Sequence, residues 1–162
     1  MSGWFNIDAG QQWVDVQLRE SNGPSFPTFA ALGFISNHPD LPGFTTDIVY
    51  RRNPSQGGGA YLALADYVPN TWFQLEVRTS SVGNSPNGTY DVYLDGNLIG
   101  DDLLQRGSAN SIGRISLNAE PSANGFRVDD LSVSLNVVPE PTSLGLLGMG
   151  LVGLLRIRRK RA

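Results

Sequence analysis

The sequence predicts an all-β protein: an antiparallel β-sandwich over residues 1–137, followed over 138–162 by a tail that contains a single apolar helix. Three observations lead there. Short runs of alternating apolar and polar residues recur along the first 137 positions, strong turn formers separate them, and the one sustained apolar stretch lies at the end. Alternation with period two marks a strand with one buried face, because successive side chains point to opposite sides. No stretch before residue 140 carries a convincing helical period.

Val14, Val16 and Leu18, alternating with Asp15 and Gln17, give the first strand, and Phe29–Ile35, Thr46–Arg51 and Ala60–Asp66 follow. Phe73, Leu75 and Val77 alternate with Gln74, Glu76 and Arg78, and Tyr90, Val92 and Leu94 with Asp91 and Tyr93. Ile112–Leu117 and Phe126–Val137 complete eight strands. Between them stand Asn22-Gly23-Pro24, Asn53-Pro54, Gly57-Gly58-Gly59, Pro86-Asn87-Gly88 and Asp95-Gly96. Asp95-Gly96 supplies the positive φ angles of a tight hairpin turn. Eight strands joined in this way pack as two sheets and suit a jelly roll.

The last strand changes parity. Phe126 and Val128 are even, whereas Leu131, Val133, Leu135 and Val137 are odd, and the switch falls at Asp129-Asp130. An extra residue there restores one buried face; without it a bare carboxylate would be driven into the core, which is costly. A bulge, a partner or a cation is therefore expected at this point.

The stretches "TWFQLEVRTS", "GTYDVYLDGNLI" and "GFRVDDLSVS", spread over residues 71–135, resemble the latter half of concanavalin A-like and laminin-G-like jelly rolls. The resemblance implies a sandwich that binds carbohydrate or protein. Some domains of that kind bind calcium, a cation that takes clustered carboxylate oxygens. Asp101, Asp102, Asp129 and Asp130 are the candidate ligands, with Asp95 as helper. Adjacent aspartates on a strand point to opposite faces, so one pair alone makes no site. For stacking against sugar rings the candidates are Tyr61 and Tyr93, which lie opposite the apolar parity of their strands. Most of the remaining aromatics are expected to pack the core.

The chain closes with Pro139-Glu140-Pro141 and then "TSLGLLGMGLVGLLRIRRKRA". The apolar residues Leu144 to Leu155 surround the helix axis and leave no polar face. Gly145, Gly148, Gly150 and Gly153 weaken a helix in water but are common within membranes. Arg156, Arg158, Arg159, Lys160 and Arg161 follow directly, as the positive-inside rule expects of a cytoplasmic flank. At about 1.5 Å per residue the run reaches roughly 18 Å, and Pro141 to Ile157 roughly 25 Å, against a hydrocarbon core of about 30 Å. It is a marginal span, suited to temporary anchoring with snorkelling arginines.

In order and spacing, residues 138–161 resemble the PEP-CTERM sorting signal of bacterial surface proteins. The resemblance implies that a membrane-embedded, cysteine-dependent exosortase recognises Pro139, Glu140 and Pro141 and cuts nearby. The protein is then a substrate, held briefly in the membrane and later released to the cell surface or an extracellular polysaccharide matrix. The two prolines hold the triplet extended, as a processing enzyme requires. Such proteins open with a secretory leader, which "MSGWFNIDAG" does not contain, so either the natural start lies upstream or the chain is a gene fragment, and the first strands of the sandwich are expected to be missing with it.

Five of the twelve basic residues lie in the last seven positions; before them seven basic residues face fifteen acidic ones, a net charge of −8. Such a surface repels phosphate backbones and argues against nucleic acid. With no cysteine there are no disulfides, thiolate metal sites or cysteine nucleophiles. Paired carboxylates at glycosidase spacing are not evident: Glu20, Glu76, Glu120 and Glu140 stand apart in sequence, and Glu76 reads as the solvent face of its strand. His38 reads as a solvated loop residue, Asn87-Gly88-Thr89 as a turn rather than a glycosylation site, and "GGGAY" lacks the lysine and helix of a phosphate loop. The expectation is a non-enzymatic binding module; the alternatives are a secreted glycoside hydrolase-like enzyme and a purely structural matrix module.

Overall fold

A computed structural model of the chain describes residues 1–20, 28–52, 60–79, 88–107, 109, 111–120 and 124–134. The expected C-terminal helix, the Pro139-Glu140-Pro141 triplet and the basic terminus lie outside the described residues. The ten strands are β1 (Ser2–Ile7), β2 (Trp13–Arg19), β3 (Thr28–Ser36), β4 (Thr46–Arg51), β5 (Tyr61–Asp66), β6 (Phe73–Arg78), β7 (Thr89–Leu94), β8 (Asn97–Leu104), β9 (Arg114–Ala119) and β10 (Phe126–Ser132). They form two five-stranded antiparallel sheets, ordered β10-β1-β6-β7-β8 and β5-β4-β3-β2-β9. The all-β sandwich expected from the alternating runs is thus the architecture observed.

The two sheets meet through the alternating residues. From the first sheet Phe5, Ile7, Phe73, Leu75, Val77, Tyr90 and Val92 point inward, and from the second Val14, Val16, Leu18, Leu32, Phe34, Ile48 and Tyr50. Phe34 on β3 is the hub: its ring centroid lies 5.5 Å from Phe5, 5.4 Å from Phe73 and 5.9 Å from Tyr67. A second aromatic set joins Tyr90 to Phe29 at 5.6 Å and to Tyr50 at 6.1 Å. The Tyr50 hydroxyl then donates to the Leu104 carbonyl at 2.7 Å, tying β4 to the edge strand β8.

Two strands escape the sequence reading. β1 reads Ser-Gly-Trp-Phe-Asn-Ile, with Trp4 and Phe5 adjacent, and only its pairing with both β10 and β6 makes it a central strand. β8 carries two register shifts against β7, which scatter its apolar residues between odd and even positions.

The parity change in β10 resolves as a bulge. Trp4 pairs with Asp129 but Ser2 with Ser132, so three residues of β10 span two of β1. Asp130 there has φ of 48°, its N–H donates to Asp129 Oδ1 at 2.9 Å, and both carboxylates are exposed. Leu131 thereby comes to lie over Gly3, where a Cβ would stand 2.9 Å from Leu131 Cδ1, and at the sheet edge it stays 38 % exposed. β8 uses the same device: Val92 pairs with Gly100 and Tyr90 with Leu103, and Asp102 between them has φ of 47°. Aspartate tolerates this left-handed conformation because its short side chain bonds locally.

Two measurements follow from these contacts. Phe34→Ala is expected to lower the unfolding free energy by about 3–5 kcal/mol in urea titrations, since it empties the centre of the aromatic cluster. At the bulge, Asp130→Gly leaves stability unchanged or raises it, whereas Asp130→Val costs about 1–2 kcal/mol; equal effects of the two would show that the positive φ is not maintained.

Candidate functional site

The second sheet also buries part of the face turned away from the core. Asp15 and Gln17, expected on a solvent face, are only 7 % and 8 % exposed, and Ala31, Ile35 and Val49 beside them are fully buried. Across the strands Asp15 stands opposite Gly33 on β3 and Asn118 on β9, and Gln17 opposite Ala31 and Ser116. Small residues on β3 make the middle of this face low. Trp13 lies across it: a Cβ on Gly33 would come within 3.1 Å of Trp13 Cη2 and of Val49 Cγ2.

Trp13, His38, Asp40, Leu41, Arg51, Tyr61 and Glu120 line an open cavity of about 320 Å3 on this face. The Trp13 and Tyr61 rings meet edge to face at 5.3 Å, and the Arg51 guanidinium sits 5.8 Å from the Tyr61 centroid. At the other end the Asp40 N–H donates to His38 Nδ1 at 3.1 Å, which leaves Nε2 to carry the proton that meets Glu120 Oε1 at 3.1 Å. The His38 side chain is only 10 % exposed and edges against Trp13 at 6.2 Å. The expectation of a solvated loop histidine is therefore corrected: sequence gave no signal for a partner 82 residues away.

Asp15 lies on the same outer face, next to Arg51 of the cavity lining. Its Oδ2 accepts a 2.8 Å hydrogen bond from Gln17 Nε2 and lies 3.8 Å from Arg51, whereas Oδ1 has no partner of hydrogen-bond geometry among the described residues. Ser116 Oγ, on the same face and 8 % exposed as a residue, is unpartnered in the same sense. Burial raises the Asp15 pKa, with Gln17, Arg51, Arg106 and Trp13 offsetting it in part. Burial likewise lowers the pKa of Arg106, and the nearby positive charge of Arg51 adds to that.

Of the residues singled out from sequence, Tyr61 lies in this cavity and Tyr93 does not. Tyr93 is on the outer face of the first sheet, where the Arg78 guanidinium covers its ring at 4.2 Å. The same Arg78 grips Glu76 with two 2.8 Å bonds, which hold the Glu76 carboxyl below its ordinary pKa. That is the opposite of what a general acid needs.

The paired aspartates do not come together. Asp101-Asp102 lie on β8 and Asp129-Asp130 on β10, opposite edges of the first sheet, about 19 Å apart at the ordinary strand spacing. Asp102 instead accepts from Thr89 Oγ1 at 3.2 Å, and its N–H donates to Asp91 at 3.0 Å. Asp95 caps its hairpin by accepting the Gln74 N–H at 2.8 Å. The four aspartates therefore do not gather at one point, and no group of three or more metal-binding side chains occurs among the described residues. Trp13, Asp15, Gln17, Arg51 and Ser116 were missed because only the strand order brings them to one face.

Beyond the sandwich, residues 137–160 match the PEP-CTERM protein-sorting motif. The chain therefore carries the tail of exported proteins that exosortase processes at the cell envelope. No curated protein matches it. Among the described residues no helix is long and apolar enough to cross a membrane.

The raised Asp15 pKa has a sign that can be checked. The folded protein holds this proton to higher pH than the unfolded chain, so the contribution of Asp15 to stability falls as pH rises from the ordinary 3.8 through the raised value. Asp15→Asn removes that dependence. In urea titrations its stability relative to wild type is expected to increase between about pH 3.5 and 7; a constant difference across that range would show ordinary titration.

Proposed function

We propose that this chain is a non-enzymatic envelope protein whose tail and sandwich have separate tasks. Residues 141–157 form a single apolar helix that parks the chain in the membrane, with Arg156, Arg158, Arg159, Lys160 and Arg161 on the cytoplasmic side. Exosortase recognises Pro139, Glu140 and Pro141 and cuts nearby, and the sandwich, of concanavalin A-like jelly-roll type, passes to the cell surface or matrix and binds polysaccharide there.

The observation that carries the reading is the sorting motif over residues 137–160, which takes in the triplet, the apolar run and the basic cluster together. The cavity containing Tyr61 and Trp13 supports a sugar ligand, since aromatic rings beside a few polar groups suit an amphipathic ring.

Replacing Pro139, Glu140 and Pro141 together with alanine is expected to leave the protein at full length in the membrane fraction, as read by mass and by immunoblot of fractionated cells. Normal processing of that variant would refute the sorting role of the triplet.

A further inference from the structure

We infer that the outer face of the second sheet is a site for an anionic glycan of the uronic-acid type, with Arg51 receiving the sugar carboxylate and Trp13 and Tyr61 flanking the ring. The inference rests on the reading that the sandwich binds polysaccharide, and it names the chemical class.

Three features of the face select this ligand. The first is an imbalance of charge: Arg51 and Arg106 both act on Asp15, so two guanidinium groups share one buried carboxylate. Among the described residues Arg106 has no ion pair of its own. A second carboxylate, brought by the ligand, balances the pair, and a guanidinium matches a planar carboxylate with two parallel hydrogen bonds. The overall charge of the chain is negative, so an anion is held here only by local contacts of this kind.

The second feature is the polar lining. His38, Asp40 and Glu120 stand in the same cavity as the two aromatic rings and present carboxylate oxygens and a ring nitrogen to it. Sugar hydroxyls both donate and accept, so they match groups of this kind.

The third is the aromatic wall. Trp13 and Tyr61 stand edge to face, and Arg51 lies beside Tyr61, so a ring resting against the aromatics brings a carboxylate substituent within reach of the guanidinium. The polarity of the cavity then sets the direction of the chain. Asp40 and the His38–Glu120 pair occupy the far end, which disfavours a carboxylate there and leaves it to neutral hydroxyls.

Calorimetric titration of the full chain in detergent micelles tests this, with tetragalacturonate, its fully methyl-esterified form and neutral cellotetraose as probes. The acid is expected to bind at least about tenfold more tightly than its ester, the size of one charge-assisted contact. Arg51→Gln brings that ratio close to one, while Arg51→Lys keeps part of it. Tyr61→Ala weakens acid and ester alike, which separates packing from charge. Equal affinity for acid and ester, or preference for cellotetraose, overturns the selection of an anion while the polysaccharide reading stands. No binding of any probe by a folded protein overturns both.

Discussion

The sandwich depends on the contact of Phe34 with Phe5 and Phe73, which fastens β3 of one sheet to β1 and β6 of the other. Three rings from strands far apart in sequence exclude water from the middle of the molecule, and aromatic area of this size dominates the burial energy of a small core. Tyr67 closes one side of the cluster, and burial pushes its hydroxyl pKa up to about 12. Because Phe34, Phe5 and Phe73 must all face inward, the parity of their strands is fixed. Every residue one position away is sent to an outer face.

That constraint explains the bulges. A strand with a misplaced apolar residue either exposes it or inserts an extra residue, and β10 and β8 both insert, each with an aspartate at positive φ. The aspartate pairs that resemble metal ligands are accounted for by backbone geometry and local hydrogen bonds. Their carboxylates sit at opposite sheet edges, where water solvates them.

It also explains why the second sheet carries a polar site. With Val14, Val16 and Leu18 turned to the core, Trp13, Asp15 and Gln17 share the outer face of β2. Gly33 and Ala31 on the neighbouring strand leave room for an indole to lie down and for a carboxylate to sink out of water. The cost of that desolvation is only partly offset by Gln17 and Arg51. The sorting tail and this face are separate features of the chain, one a linear signal and the other a product of strand order.

The sequence by itself determined the period-two pattern and hence the sandwich, because alternation is a local property of neighbouring residues. It likewise marked Asp129-Asp130 as a break in parity, with a bulge among three expected causes, and it carried the sorting tail, which is read as a linear order of residues. Tyr61 was legible as an outward aromatic for the same reason. Tertiary structure decided what local order cannot express: that Ser2–Ile7 is a central strand, that the aspartate pairs part to opposite edges, and that His38 finds Glu120. It also decided that Asp15 is buried, since strand order and the small residues of β3 determine which outer face is covered, and neither is written in the alternation of β2.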